Sequence, residues 1–297
     1  MDALITPFLA NDFMLRALLA GTLVSIACAA AGTFVILRGL AFIGDALAHG
    51  VLPGIALGVL LGFPGILGAA IGAAFMIGGI TLITQRSRLS SDTAIGLLFV
   101  GMLSLGVVIV SRSSSFSGDL TRILFGEILG ISWTSVLIQA VATVVIGGIA
   151  IVCARPFLLL SFDPEQAEVA GFRVRIYHNI MLFMIAVTVI VSFQTVGTLL
   201  VFGLLIAPAG AGALLARRIA LRLWKLRLHV SMLPVMIAWA ALFGVLSMYF
   251  GLLISYHFNL AAGASVTLVA VLLFFIVFTI RNALRQRAVP EGAPVHG

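Results

Sequence analysis

The sequence has very few charged side chains, and this scarcity excludes a water-soluble globular protein. Only 9% of its 297 residues are Asp, Glu, Lys or Arg, whereas 62% are apolar and the mean hydropathy is +1.25. So few polar groups cannot cover the surface of a soluble domain. The chain is therefore expected to be an integral membrane protein.

Lysine and cysteine are almost absent, and each shortage excludes a class of site. Lys225 is the one lysine, and neither GxxxxGKS nor GxxxxGKT occurs, so this chain has no phosphate-binding loop for ATP. Cys28 and Cys153 fall within apolar runs, which argues against a disulfide or a cysteine metal site. The 17 basic residues outnumber the 10 acidic ones, and in so apolar a chain they indicate cytoplasmic loops and lipid headgroups rather than nucleic acid.

Long apolar runs recur along the chain, and their lengths predict helices rather than strands. A helix needs about 20 residues to cross a bilayer, and a barrel strand needs about ten. We expect an all-α, polytopic transmembrane helical bundle of about nine spans, with a range of eight to ten, forming one transmembrane domain over 1–287. The predicted spans are 17–37, 43–62, 65–84, 93–111, 131–153, 178–196, 198–216, 230–251 and 259–280.

Two segments depart from this regular pattern. Pro208 and the glycines that follow it predict that the seventh span is broken or re-entrant. Residues 288–297 are short, rich in proline and glycine, and predicted to be a disordered cytoplasmic tail.

The basic residues are distributed unevenly between the predicted loops. If the N-terminus lies outside, 14 of the 17 basic residues fall on the cytoplasmic side, and the exceptions are Arg16, Arg112 and Arg122. The positive-inside rule therefore predicts an external N-terminus and a cytoplasmic C-terminus.

Two ionisable residues lie four positions apart inside an apolar run. Asp45 is the only acidic residue between Asp12 and Asp92, and His49 follows it in the stretch LRGLAFIGDALAHGVLPG. A spacing of four places a carboxylate and an imidazole on one face of a helix. A divalent cation would offset the cost of burying the carboxylate. Two such pairs would suit Zn²⁺ in fourfold coordination, and Mn²⁺ would add waters or carbonyls.

The same pair also allows other interpretations. Asp45 could cap a span that begins near Phe42 or pair with Arg38, with His49 as a neutral core residue. Among functions, an intramembrane metalloenzyme would need further ligands and a glutamate beside His49 to act as general base. A proton-coupled secondary carrier could use Asp45 and His49 as relay groups, and transport that ignores ATP would favour it.

The cytoplasmic loop between the fifth and sixth spans contains a short helix with clear ends. Asp163 is a suitable N-cap, Pro164 suits the first helical position, and Glu165 favours the positive end of the helix dipole. Gly171 supplies a left-handed stop, so a helix is predicted over about 164–170. Such a helix suits the docking of a soluble partner, and equally a simple reversal of the chain at the membrane surface.

Two residues are weaker candidates for contact with a metal ion. His257, near the outer end of the ninth span, is a candidate entry ligand, although an interfacial position beside Tyr256 explains it better. Glu127, in the outside segment 113–130, could meet an arriving cation, although a solvated loop charge explains it better.

Six segments resemble the membrane permease subunits of ABC importers of the zinc and manganese family. They are AFIGDALAHGVLPGIALG (41–58), SDTAIGLLFVGMLSLG (91–106), DLTRILFGEILGIS (119–132), EQAEVAGF (165–172), TVGTLLVFGLLIAPAGAGALLA (195–216) and SYHFNLAAGASVTLV (255–269). The chain departs from the family pattern at Ala261 and Ala262 and in the residues after Pro208. These departures concern the geometry of a helix break rather than the class of transporter.

The resemblance implies a permease subunit rather than an enzyme. It implies ATP-driven import of zinc or manganese across the cytoplasmic membrane through a path on the axis of a homodimer, and the ligand geometry of the Asp45–His49 pair gives a slight preference for zinc. The implied partners are cytoplasmic ATPase subunits, which carry the ATP, and an external metal-binding protein; no permanently bound cofactor is implied.

The resemblance also assigns residues to these roles. Asp45 and His49 would line the path and bind the metal. The ATPase-coupling helix, at about 163–171, would be formed by a set that includes Asp163, Pro164, Glu165, Ala167 and Gly171. Because no second acidic or histidine pair lies deep in this chain, the other half of the metal site is expected from a second copy.

Overall fold

The chain folds as a bundle of helices, which a computed structural model describes for residues 7, 8, 10–111, 130–225 and 231–286. These ranges contain no strand, as the sequence predicts. Glu127 and the predicted tail at 288–297 lie outside them. The helices are α1 (Asp12–Arg38), α2 (Ile43–Gly50), α3 (Leu52–Leu61), α4 (Gly65–Arg86), α5 (Ser91–Ser111), α6 (Trp133–Val152), α7 (Ala154–Phe162), α8 (Pro164–Val169), α9 (Val174–Val196), α10 (Thr198–Lys225), α11 (Met232–Phe258) and α12 (Ala262–Gln286).

Within the described ranges, eight helices are long and apolar enough to cross a membrane: α1, α4, α5, α6 and α9 to α12. The second predicted span, 43–62, is instead two short helices, α2 and α3, with Val51 between them. Counted as one crossing, the pair brings the total to nine, inside the predicted range of eight to ten.

Close packing between glycines supports counting α2 and α3 as one crossing. A methyl group on Gly54 of α3 would collide with the carbonyl oxygen of Gly68 in α4, and one on Gly68 would collide with the carbonyl oxygen of Gly54. Further along, a Cβ on Gly50 of α2 would lie 3.3 Å from the Met76 sulfur of α4. Small residues let helix backbones approach in lipid, where dispersion contacts hold helices together. The α2–α3 pair therefore runs beside α4 over much of its length.

The predicted break near Pro208 is wrong. Helix α10 runs without interruption from Thr198 to Lys225, with Pro208 inside it. Its neighbour α1 packs so closely that a methyl group on Gly32 would collide with the Leu205 carbonyl oxygen. Packing of this kind holds a proline-containing helix together within a membrane, although the proline lacks an N–H donor.

Helical interruptions occur instead at Val51 and Gly197. Val51 separates α2 from α3 and precedes Pro53, which occupies the first turn of α3. Gly197 separates α9 from α10 and has φ 87° and ψ 160°, a conformation that only glycine adopts readily. Both interruptions fall between consecutive apolar helices rather than in a surface loop.

Helix α1 lies at the centre of the bundle, where it contacts α6, α9, α10 and α11. In its most apolar segment 72% of the residues are buried, compared with 22% in α5 and in α6, which present apolar faces outward. Each end of α1 carries an arginine that bonds to a distant part of the chain. Arg16 donates to the Ile131 carbonyl before α6, and Arg38 donates to the Leu160 carbonyl in α7 and contacts His178 in α9.

Candidate functional site

Helix α2 brings Asp45 and His49 together on one face. His49 Nε2 lies 3.4 Å from Asp45 Oδ1, and the two side chains are 19% and 35% exposed, respectively. The residues between them, Ala46 to Ala48, are buried. A four-residue spacing in a helix produces this arrangement directly, as the sequence predicts.

Asp45 neither caps α2 nor pairs with Arg38, the two structural roles that the sequence allows. The N-cap of α2 is Phe42, and no side chain caps this end of the helix. The Arg38 guanidinium does not pair with Asp45, because it binds the Leu160 carbonyl and the His178 ring. Asp45 stands in the first turn of α2, where the helix dipole favours its negative charge.

Aromatic and apolar side chains enclose the His49 side of the pair. The His49 ring contacts the Phe99 ring of α5 edge-on, with 5.6 Å between ring centroids. His49 Nδ1 is buried and makes no hydrogen bond within the described part of the chain. Nothing in the sequence singled out Phe99, because only the packing of α5 against α2 brings it to the imidazole.

The pair lies beside the middle turns of two helices that are long enough to cross a membrane. Phe99 is eight residues after Ser91, the first residue of α5, a rise of about 12 Å along the helix. Met76, which lies against Gly50, is ten residues before Arg86, the last residue of α4, a rise of about 15 Å. A helix that crosses the apolar layer of a bilayer spans about 30 Å, and His49 lies beside the middle turns of both helices.

The pair alone supplies too few ligands for a metal ion. Among the described residues, no group of three or more His, Cys, Asp or Glu side chains could hold a metal ion. Transition-metal ions take at least four ligands, and Asp45 and His49 supply two side chains. Both side chains are partly exposed on the surface of the single bundle.

The predicted cytoplasmic helix forms as α8, Pro164–Val169, with the expected ends. Asp163 Oδ1 accepts hydrogen bonds from the backbone N–H groups of Glu165 at 3.0 Å and Gln166 at 3.1 Å. Gly171 has φ 84°, and its N–H donates to the Glu168 carbonyl at 2.9 Å. The helix is therefore closed at both ends by its own sequence.

Helix α8 has one buried side chain. Ala167 is 1% exposed, whereas Val169 is 91% exposed and Glu165 and Glu168 are also exposed. Its main contacts within the chain are with α7 and α9. The helix is therefore anchored on one side and free on the other.

His257 lies apart from the Asp45–His49 pair. It is the second-last residue of α11, its Nδ1 lies 2.9 Å from the Leu253 carbonyl oxygen, and its ring packs edge-on against Tyr256. It lines a cavity of about 710 Å³ together with Phe13, Met14, Ser255, Tyr256, Asn259 and Leu260. Among the described residues that line this cavity, none besides His257 is a histidine or an acid.

Comparisons with known proteins agree with the fold and with the sequence. The family described as the ABC 3 transport family matches residues 10–281. The manganese transport system membrane protein MntC of Listeria innocua is 36% identical over 266 residues, 90% of each chain. A probable iron transport system membrane protein of Haemophilus influenzae is 35% identical over 96% of this chain and 99% of its own length.

A solved structure agrees as well. One chain of PsaBC from Streptococcus pneumoniae in complex with Fab superposes with a TM-score of 0.80 and 33% identity, over 96% of this chain and 98% of that one. The family match covers nearly all the helices, and the relatives align over nearly their whole length. The chain therefore belongs to the ABC 3 transport family and is a multi-span membrane transport protein.

Proposed function

We propose that two copies of this chain form the membrane path of an ATP-driven importer for a divalent transition-metal ion. Asp45 and His49 of both copies would hold the ion at the dimer axis. The observation that carries this proposal is the position of Asp45, which is 35% exposed on the surface of a single bundle near the middle of the apolar layer. Exposing the Asp45 carboxylate to lipid would cost free energy, whereas a second copy and a bound cation would compensate its charge.

The chemistry of the pair suits such an ion. Each copy would supply one carboxylate oxygen and one imidazole nitrogen, and four ligands from two copies satisfy a transition metal better than Mg²⁺ or Ca²⁺, which prefer oxygen. The ligand types alone give a slight preference to zinc. The relatives are named for manganese and iron, and on this ground we propose manganese as the principal cargo.

Helix α8 would couple this path to ATP hydrolysis on a separate subunit. Its capped ends, exposed outer face and contacts with α7 and α9 suit a short element that fits a groove of a soluble ATPase. In this proposal Asp163 and Gly171 hold the helix in shape, Pro164 starts it, Ala167 anchors it, and Glu165 is presented to the partner. An external metal-binding protein would deliver the ion to the opposite face.

The proposed orientation follows from charge. The end of the bundle that carries Arg38, α8 and most basic residues would face the cytoplasm, and the end that carries Arg16 and His257 would face outward. With nine crossings, the N-terminus is external and the C-terminus cytoplasmic. The membrane is then the cytoplasmic, or inner, membrane.

Metal binding by the purified chain tests the site. Wild type, Asp45→Asn, His49→Ala and the control Asp92→Asn would be loaded with Mn²⁺, and bound metal would be measured by elemental analysis beside the mass of the particle. Asp92 is an exposed acid at the start of α5. We expect one tightly bound ion per two chains in the wild type and the control, and a loss of at least about tenfold in affinity in the other two variants.

Three results would overturn the proposal. Unchanged binding in Asp45→Asn and His49→Ala would remove the assigned ligands. Full-affinity binding by a monomer would remove the shared site. Mn²⁺ uptake into vesicles that follows a proton gradient and ignores ATP would replace the ATP-driven importer with a proton-coupled carrier.

A further inference from the structure

Arg38, the last residue of α1, joins three helices at the end of the bundle that carries α8. Its Nη1 donates to the Leu160 carbonyl of α7 at 2.7 Å, and its Nη2 lies 3.1 Å from His178 Nδ1 in α9. A guanidinium can only donate, so His178 Nδ1 accepts and the imidazole is neutral in this arrangement. No carboxylate within the described ranges lies within 4.0 Å of Arg38. One side chain therefore ties α1 to both α7 and α9.

A second contact one turn earlier strengthens the α1–α7 connection. Phe34 of α1 and Phe157 of α7 are both fully buried, and their rings meet edge-on at 5.1 Å between centroids. Residues 34 and 38 share a face of α1, and residues 157 and 160 share a face of α7. The last turns of α1 and α7 therefore form one packed unit.

Helix α8 is attached to α7 and α9, the two helices that Arg38 joins to α1. The N–H of Asp163, its N-cap, donates to the Leu159 carbonyl of α7 at 2.8 Å. After α8, the Phe172 ring packs edge-on against Tyr177 of α9, with 5.5 Å between centroids. Because the main contacts of α8 are with α7 and α9, a force on α8 passes first into those helices.

On its other side, Arg38 leads directly to the helix that carries Asp45. Gly39 caps α1 in a left-handed conformation with φ 67°, and the Leu40 N–H donates to the Val35 carbonyl at 3.0 Å. Helix α2 then begins at Ile43, two residues before Asp45. Between Arg38 and α2 there are four residues, and hydrogen bonds back to the last turn of α1 fix the first of them.

We propose that Arg38 is a positioning residue that transmits the displacement of α8 to α2, and so to Asp45 and His49. The inference rests on the proposed function, since it needs an ATPase that moves α8. The path is α8 to α7 and α9, then through the guanidinium to the end of α1, then through the Gly39 turn to α2. Without the guanidinium, α8 would still move and the pair would still bind metal, but the displacement would reach α2 only through the direct packing of α9 on α2, so coupling would weaken.

Arg16 provides a matched control on the same helix. At the opposite end of α1 its Nη1 donates to the Ile131 carbonyl at 3.3 Å, so it too bonds α1 to a distant backbone carbonyl. If an arginine–carbonyl bond only stabilises the fold, removing either arginine should have a similar effect. Of the two arginines, only Arg38 bonds to α7 and α9, the helices that hold α8, so only its loss should affect coupling.

The test uses the full permease–ATPase complex in lipid vesicles and measures Mn²⁺ ions transported per ATP hydrolysed. We expect Arg38→Gln to lower this ratio by at least about tenfold, the loss typical of a charge-assisted hydrogen bond, with Mn²⁺ affinity and ATPase recruitment unchanged. The ratio for Arg38→Lys should fall between those of the wild type and Arg38→Gln, since lysine cannot donate in two fixed directions. Arg16→Gln should keep the wild-type ratio.

A distance measurement reports the movement directly. Spin labels at Val169 and Phe42, which are 91% and 65% exposed, would follow α8 and the start of α2 in dimers whose buried Cys28 and Cys153 are replaced by alanine. In the Arg38→Gln complex, ATP should still shift the Val169 distance and should shift the Phe42 distance much less than in the wild type.

The outcomes separate the two proposals. A wild-type transport ratio in a folded Arg38→Gln complex, or a Phe42 distance that responds to ATP as in the wild type, would overturn the role of Arg38. An equal loss in Arg16→Gln would reduce that role to general stability. Absence of ATP-driven Mn²⁺ transport by the wild-type complex, or its persistence in Asp45→Asn, would instead overturn the proposed function.

Discussion

The cap of α8 offers a quantitative test of how its sequence holds the helix. Asp163→Ala removes an oxygen that accepts two backbone N–H groups, at 3.0 and 3.1 Å, from a helix of six residues. Loss of an N-cap costs about 1–2 kcal/mol. Because Ala167 is the only side chain that α8 buries, packing offers little compensation. Local opening of α8 should therefore become about 5- to 30-fold more frequent.

Hydrogen exchange of the purified permease measures this opening. The amide of Ala170 donates to the Gln166 carbonyl, and that of Phe172 donates to the Ala167 carbonyl, so both report the closed helix. Asp163→Asn is the matched variant, because asparagine caps as well as aspartate and removes only the charge. We expect faster exchange in Asp163→Ala, near-wild-type exchange in Asp163→Asn, and unchanged exchange in α1.

Two results would refute this reasoning. Equal protection of the Ala170 and Phe172 amides in wild type and Asp163→Ala would show that the cap does not hold the helix. Equal loss in Asp163→Ala and Asp163→Asn would show that the charge acts through the dipole rather than the two hydrogen bonds. In the importer, the open helix should also lower ATPase stimulation in proportion to its frequency.

The remaining predictions concern packing and buried polar groups, and thermal unfolding in detergent measures all of them. Gly68→Ala should destabilise the bundle by about 1–3 kcal/mol, because the new methyl group would collide with the Gly54 carbonyl oxygen, whereas Gly78→Ala, with no neighbour within 4 Å, should be neutral. Gln139→Leu should be neutral or stabilising, because the fully buried amide oxygen makes no hydrogen bond. Thr143→Val should cost about 1 kcal/mol, since its hydroxyl bonds the Leu23 carbonyl at 3.1 Å. Equal melting temperatures for Gly68→Ala and Gly78→Ala, a large loss for Gln139→Leu, or none for Thr143→Val would contradict these expectations.

Features set by short-range chemistry were predicted well. The ends of α8 follow from the hydrogen-bonding capacity of Asp163 and the left-handed conformation of Gly171, and the structure confirms both. The Asp45–His49 pairing on one face follows from helical periodicity, and the structure confirms it. The roles of these residues in coupling and metal binding stay predictions.

Features set by neighbours were predicted less well. The sequence around Pro208, considered alone, predicts a break, but α10 is continuous where it packs against α1. The second span looked uninterrupted, yet it divides at Val51 ahead of Pro53. In both cases the outcome depends on whether adjacent helices support the backbone around the proline, and this information is not local.

The sequence by itself determined that the chain is a membrane protein, that it is helical, and which ionisable pair stands in an apolar span, because composition and helical spacing decide these properties. Only the tertiary structure decided that the pair lies partly exposed beside the middle turns of α4 and α5, that Phe99 packs on His49, and that Arg38 ties the end of α1 to α7 and α9. The contacts of Arg38 join residues 122 and 140 positions apart. Partners so distant in sequence are chosen by the packing of whole helices.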